Sequence, residues 1–430
     1  MRLRGLLTTA ALIAGTVGLA PMPAQAASHA DQPHRTAHVK RVHRVEQGVV
    51  RLLTQDVPDA GGGSHDVARP VLQRDDGSWL DLHLTGKAKP SYNTRVELSG
   101  VADDASMDVE SVSYPRASGP RLSYLGTQPT TGTTSVLVIL AYWTQPDSVT
   151  PAIAQNVVFT KGNPWWKETS YGQVGITGRV TSWLHISPPS GDCYSYADQI
   201  MSRAKTAAAA YDPGSYQRVI VYMPACSYSP GWAFIGSGSV WLSGELDLRV
   251  SIHEQGHNYG LYHAHGYACS AGGKAITLGG ACSQSEYGDD FDAMGGGSYV
   301  GQFSGRQKKI LGWVNNRYQA VSSSTTVTLS PFETPAGLKT VSVVAGNRTY
   351  WLENRTATGI DKGFPAGAQG LQVRMVQTGL GDPGPNALDL RPNDGGYDDF
   401  ESVALTPSTS WTSPEHVRIT AGIAGAAGLP

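Results

Sequence analysis

The period of the apolar positions divides the chain. Between residues 46 and 115, short segments alternate apolar and polar, as in Trp79-Leu80-Asp81-Leu82-His83-Leu84 and Arg95-Val96-Glu97-Leu98, with Gly, Asp and Pro between them. That period predicts a small β unit. A turn-rich stretch over 118–134, with Gly119-Pro120, Gly132 and several Thr, reads as a linker. The unbroken apolar run over 135–141 suits a strand buried on both faces. A helix is expected over 152–159, a strand over 174–186, an Ala-rich helix over 196–211 and a further buried strand over 218–223. This succession is an α/β order. Beyond Tyr318 the period returns to two, with short strands expected at 325–329, 340–344, 349–352, 371–376 and 417–419. The tail reads as a separate or appended β domain, sandwich-like.

Composition narrows the class. At 430 residues the chain exceeds one ordinary domain. A hydrophobic share of 40%, with 10 Trp and 19 Tyr, excludes a disordered chain. Charged residues make up 16% against the usual ~25%, and with 51 Gly this points to a loop-rich, β-containing secreted protein. Lys and Arg minus Asp and Glu is 33 − 35 = −2, so no basic excess exists for nucleic acid or an anionic membrane surface.

Residues 1–26 have a cationic start, an apolar run over 5–20 and the small-residue pattern Ala24-Gln25-Ala26, which together read as an export signal. No later run is long enough to span a bilayer, so a soluble extracellular protein is expected, with no membrane partner and a monomeric state. His29, His34, His38 and His43, set among Arg and Lys, read as a solvated tail. In an exported chain, Cys193, Cys226, Cys269 and Cys282 imply two disulfides with three possible connectivities. Locality favours Cys269 with Cys282, which leaves Cys193 with Cys226.

The chemistry concentrates in His253-Glu254-Gln255-Gly256-His257-Asn258-Tyr259-Gly260-Leu261-Tyr262-His263. Leu246, Leu248, Val250 and Ile252 supply apolar positions for a helix ending near Tyr259, with Ser243 as its expected N-cap. On that helix His253 and His257 stand four apart and share a face, so both imidazoles can reach one Zn²⁺ with Glu254 beside them. Gly256 weakens a helix by about 1 kcal/mol. Gly260 stands where the helix needs a left-handed residue, and the turn it allows returns His263 as a third ligand. Three neutral imidazoles leave a fourth tetrahedral position open, the mark of a catalytic zinc site.

This pattern matches the extended motif of the metzincin metallopeptidases in full, and the chain resembles their gametolysin-like branch most. The resemblance covers roughly 135–318. Its carriers are 165–172 with its Ser-Tyr-Gly, 231–242, the zinc motif, Tyr287-Gly288-Asp289 with Met294-Gly295, and 303–313. The likeness implies a metzincin-like α/β (α+β) catalytic domain over 131–318, with a twisted mixed sheet and an active-site helix. A β-rich propeptide region over 27–130 and an all-β domain over 319–430 would flank it. It also implies that Met294 forms the turn beneath the zinc, and that Gly231, Ala233, Ile235 and Gly236 lie on a rim strand along which an extended peptide pairs.

Two departures matter. Gametolysin begins its motif with Gln where this chain has His253, and residues 27–192 hold no Cys, so a zymogen cannot be silenced by a thiol on the metal. A propeptide must then block by occlusion or through a His or carboxylate.

The expected function is a secreted zinc endopeptidase that hydrolyses extracellular proteins, with metal-activated water and Glu254 as general base. A binding or adhesive module with a vestigial zinc site, and a zinc amidase acting on cell-wall material, stay open. His265 and Tyr299 fall off the ligand spacings. Asp289, Asp290 and Asp292 read as turn organisers. The Asp and Asn residues over 382–399 match no calcium loop, so Ca²⁺ is possible but unsupported.

Overall fold

The alternating N-terminal segments pair as their period requires. The computed structural model describes residues 41–422 apart from 59–63, 76–77, 85–89, 91, 93, 115–127, 194–195, 227–230, 298, 381–382 and 393–401. The expected export signal, His29, His34 and His38 lie outside the described residues. β1 (Val42–Pro58), β2 (Ser64–Gln73), β3 (Trp79–Leu84), β4 (Thr94–Ala102) and β5 (Ser106–Ser113) follow in order. β1 pairs with β2 and with β4, β2 with β3, β3 with β5 and β5 with β4, which closes the ladder into a small barrel. Val50, Leu72, Leu80, Leu82, Val96, Leu98, Met107 and Val109 fill it.

A mixed sheet comes next, built from β6 (Gly132–Tyr142), β7 (Val174–His185), β8 (Arg218–Met223), β9 (Gly231–Phe234) and β10 (Ser239–Ser243). β7, β6, β8 and β10 run parallel in that order, and β9 lies antiparallel beside β10. The unbroken apolar run of β6 is used on both faces. Val136, Val138 and Leu140 enter one apolar cluster, while Leu137, Ile139 and Ala141 enter another. Helices lie along these clusters. α1 (Pro151–Gln155), capped by Thr150, continues through a π-turn at Asn156–Lys161 into α2 (Gly162–Thr169). α3 (Ala197–Ala207) packs Ile200, Met201 and Ala204 into the second cluster, and α4 (Leu248–Asn258) carries His253, Glu254 and His257.

The remaining strands form a second large sheet. β11 (His265–Ala271), β12 (Lys274–Ile276) and β13 (Ala281–Ser285) precede α5 (Gly305–Ile310). After them come β14 (Tyr318–Val321), β15 (Thr340–Ala345), β16 (Arg348–Arg355), β17 (Gly370–Gln377), β18 (Asn386–Ala387) and β19 (Ala404–Leu405). The strand order is β12-β11-β18-β17-β16-β15-β14, with β13 on β11 and β19 on β17. The fold is thus mixed α/β, mostly strands.

The expected boundaries at 130/131 and 318/319 fall between β5 and β6 and at the head of β14, and a sheet crosses each. β1 pairs with β9 across the first, and β11 with β18 across the second. No ladder forms at 325–329, where a strand was expected; Val327 and Leu329 pack on the core of the second sheet from an irregular segment. Cys193 bonds Cys226, and Cys269 bonds Cys282 across the β11–β13 ladder. Among the described residues, no helix is long and apolar enough to cross a membrane.

A buried ion network joins this second sheet to the loop below α4. Arg374 of β17 grips Asp289 at 2.5 and 3.1 Å and Glu353 at 2.6 Å. Arg355 of β16 reaches Asp361 at 3.1 Å and donates to the Phe291 carbonyl at 2.5 Å. Removing one partner of such a pair strands a charge in the interior. We predict that Arg374→Met lowers the unfolding free energy by about 3–5 kcal/mol, read from denaturant melts.

Candidate metal centre

Local chemistry sets both ends of α4. Asp247 caps it, its carboxylate accepting from the Val250 amide at 2.8 Å. The expected cap, Ser243, instead closes β10: its backbone still pairs with Met223 of β8, and the left-handed Gly244 follows. At the other end Gly260 takes φ 92°. Its amide donates to the His257 carbonyl at 2.8 Å, and the Leu261 amide donates to the Gly256 carbonyl at 3.2 Å. This paired closure stops the helix and turns the chain back toward its own face.

That turn brings His263 to His253 and His257. The three side chains are buried, and one ligand nitrogen from each lies within 4.8 Å of the others. Each ring is oriented through its other nitrogen. His253 Nδ1 bonds the Ala293 carbonyl at 3.1 Å, His257 Nδ1 the Leu261 carbonyl at 2.9 Å and His263 Nδ1 the Glu286 carboxylate at 2.7 Å. Carbonyl and carboxylate oxygens accept, so each Nδ1 carries the proton and each Nε2 presents a lone pair.

The donor set fits a divalent metal. His257 Nε2 and His263 Nε2 stand 3.0 Å apart. Two lone pairs at that separation repel unless positive charge is shared between them. Around a tetrahedral Zn²⁺ with bonds of about 2.0–2.1 Å, neighbouring nitrogens lie roughly 3.3–3.4 Å apart, close to what is seen. The buried His253 Nε2 has no hydrogen-bond partner among the described residues. Burial, and then the neighbouring His257 and His263, holds the His253 imidazole well below its usual range and so neutral, the form that ligates.

The surroundings hold the ligands in place. Met294 is fully buried, and its sulfur would sit 2.3 Å from a Cβ at position 256. Gly256 therefore costs the helix some propensity and gives Met294 its seat. The Ala264 amide donates to the Met294 carbonyl at 2.9 Å, tying the chain after His263 to this turn. Asp292 accepts from the amides of Met294 and Ser304 at 2.9 Å each, and Asp289 from that of Phe291 at 3.2 Å. Both thus organise the turn. Burial, with Asp289 next, pushes Asp292 up to about 6.

Glu254, also buried, directs its carboxylate toward β9. A Cβ added at Gly231 would lie 2.9 Å from Glu254 Oε1, so only a glycine there leaves room for it. Of the other rim residues, Ala233 lies in β9 between β10 and β1, the Ile235 amide donates to the Leu52 carbonyl at 3.2 Å, and the Gly236 amide donates to the His257 carbonyl at 2.8 Å. Asn258 bonds the carbonyls of Phe234 and Ser239 at 3.1 Å each, which fixes this hairpin to α4.

Glu286 escaped the sequence reading, and Tyr287 was read there only as a carrier of the resemblance. Glu286 orients His263 and also stands 3.3 Å from His265 Nδ1, so His265 belongs to the ring of supporting groups. Tyr287 lays its ring 4.2 Å from that of His263 and 5.8 Å from that of His253. The signal for Glu286 was its position immediately before the segment already singled out at Tyr287. Tyr299 stacks on Phe291 and packs against Phe364. In the acidic stretch, Asn386 bonds Gln284 and the Met375 carbonyl, and Asp389 accepts from the Arg391 amide, while Asp382, Asp394, Asp398 and Asp399 lie outside the described residues.

No protein family and no curated protein matches this chain. Similar solved structures include a chaperone–substrate complex, 13% identical over 54% of this chain and 34% of that one, with a TM-score of 0.25. Another is a full-length MCM homolog from Methanopyrus kandleri, 10% identical over 42% of this chain and 56% of that one, with a TM-score of 0.16. This chain thus spans a third to somewhat over half of their lengths, and likenesses this slight carry no argument.

Removing the acceptor that orients a ligating imidazole typically weakens metal binding 10- to 100-fold. Glu286→Ala should lower zinc affinity by about that factor in competition with a chromophoric chelator. Gly256→Ala should destabilise the protein by about 1–3 kcal/mol in thermal melts, because the overlap with Met294 outweighs the ~1 kcal/mol gain in helix propensity.

Proposed function

We propose that this protein is a secreted zinc endopeptidase of the metzincin, gametolysin-like kind, acting on extracellular proteins and peptides. One observation carries the proposal: three buried imidazoles, each fixed through Nδ1, converge through Nε2, and the buried Glu254 follows the first of them on the same helix. A closed structural site would need a fourth protein ligand. Among the described residues the only cluster of three such groups is this one, and it holds just the three histidines.

When bound to His253, His257 and His263, Zn²⁺ supplies Lewis acidity, bringing water to a pKa near 7 and polarising a carbonyl. The residues do the rest. Glu254 accepts the proton of the attacking water on its carboxylate and returns it to the departing amine. Its burial keeps bulk water from competing for that proton, and Gly231 leaves the space into which the carboxylate turns. The fully buried Met294 packs its sulfur against Gly256 of the ligand-bearing helix, and Tyr287 covers His263 from the side. The two disulfides and the sequence of residues 1–26 support export.

Substituting the base separates metal binding from turnover. In Glu254→Ala, bound zinc should stay at about one per chain, while kcat/KM on a quenched peptide falls by about 10²–10⁴. Cleavage that persisted undiminished would remove Glu254 from its role. Mass spectrometry of the products on protein and on cell-wall material then distinguishes a peptidase from an amidase.

A further inference from the structure

The side chains of Arg218, Arg355 and Arg374 are fully buried. Two of them lie against carboxylates, Arg355 Nη1 at 3.1 Å from Asp361 and Arg374 Nε at 2.5 Å from Asp289. Arg218 pairs with no carboxylate among the described residues. It opens β8 opposite Val136 of β6, and its Nη1 donates to Gln255 Oε1 at 2.8 Å. Its Nε and Nη2 are buried and have no hydrogen-bond partner among the described residues. A guanidinium keeps its charge throughout the pH range of a folded protein. Here a single amide oxygen accepts from it, and a buried charge compensated so little is strongly unfavourable.

The two remaining nitrogens are a matched pair. Nε and Nη2 present their hydrogens side by side along one edge of the planar group, the fork with which arginine holds an anion between two donors. The surrounding groups supply no opposing charge. Arg218 Cζ lies 4.6 Å from the centre of the Tyr259 ring, and the Tyr259 hydroxyl bonds Thr134 Oγ1 at 3.3 Å. The Gln255 amide donates to the carbonyl and hydroxyl of Ser251 at 2.9 and 3.2 Å. Burial draws the Arg218 pKa down, and only Tyr259 acts the other way. A second donor borders the same ring: Trp166 lies 5.2 Å from Tyr259, and its buried Nε1 has no hydrogen-bond partner among the described residues.

We infer that the Nε–Nη2 edge of Arg218 is a binding site for a small monovalent anion, a halide, held inside the fold beside Tyr259. A halide brings the one negative charge that is needed and accepts hydrogen bonds from any direction. Sulfate or phosphate would bring a second charge and several more acceptor oxygens into the apolar cluster of Val136, Trp166, Ile220 and Tyr259, where they would go unsatisfied. The site is distinct from the candidate metal centre but tied to it. Gln255 stands on α4 between His253 and His257, so an anion that fixes Arg218 also fixes, through Nη1, the helix that bears two of the three imidazoles.

The test uses the full chain with one equivalent of zinc. Thermal midpoints are measured as chloride rises about a hundredfold, with ionic strength held constant by gluconate, which is too bulky for the site. A ligand that binds only the folded state stabilises it as its concentration rises, so the midpoint should climb by about 2–5 °C. In Arg218→Met, which keeps the apolar stem and removes the fork, that climb should disappear. Chloride taken up elsewhere, the open place on zinc included, raises both forms alike. A crystal soaked in bromide gives a second reading on the unaltered chain: an anomalous peak within hydrogen-bonding distance of Arg218 Nε and Nη2. Should Arg218→Met not fold, the bromide map decides alone. A midpoint indifferent to chloride, an equal climb in Arg218→Met, or a bromide map with no peak at the fork overturns the inference, and a neutral water then bonds Nε and Nη2 in place of an anion.

Discussion

The site depends on the orientation of three imidazole rings through the nitrogens that face away from the metal position. A ring placed only by its Cα and rotamer can present either nitrogen, and the lone pair goes wherever the proton is not. Here the choice is made three times by acceptors from different segments: the Ala293 carbonyl below α4, the Leu261 carbonyl just past Gly260, and the Glu286 carboxylate after β13. Each acceptor fixes a tautomer. Together they draw His257 Nε2 and His263 Nε2 to 3.0 Å, a separation that calls for a cation. The sheets, turns and ion pairs around the site act on its chemistry by holding those acceptors still.

That role explains why the C-terminal strands share a sheet with β11. The third ligand and its orienting carboxylate sit on a loop excursion, and loops are positioned poorly unless anchored. The chain leaving His263 is pinned at once: the Ala264 amide to the Met294 carbonyl at 2.9 Å, then the His265 amide to the Pro385 carbonyl at 2.8 Å. The turn holding Met294 is gripped in turn by Arg374 on Asp289 and by Arg355 on the Phe291 carbonyl. Buried ion pairs add little net stability, but they are geometrically demanding. Here that demand falls on the loop that carries the ligand support.

How much of this the sequence disclosed follows from the range of each interaction. The convergence of His253, His257 and His263 was legible because α4, the left-handed Gly260 after it and the spacing of the three residues are local and rest on backbone geometry alone. The two-sided burial of β6 was legible for the same reason, since an unbroken apolar run has few other uses. The N-cap was misplaced by four residues, from Asp247 to Ser243, because both residue types cap helices and only the β8–β10 ladder shows that Ser243 is still strand. Glu286, 23 residues from His263, and the grip of Arg374 on Asp289 across 85 residues leave no periodic trace. Nor does the pairing of Thr54 with Ala233, since the alternation that marks β1 as a strand is silent about which strand lies beside it.

The β1–β9 ladder covers an edge that would otherwise be exposed. An edge strand with open amides and carbonyls is a template for any extended chain, and folded proteins cover such edges to avoid self-association. β9 is an extreme case, because Trp232, Ala233 and Phe234 are nearly free of polar side chains and an exposed edge there would be sticky as well as unpaired. Covering β9 with a strand of the same chain removes that hazard, and the barrel and the mixed sheet are joined by the same contact.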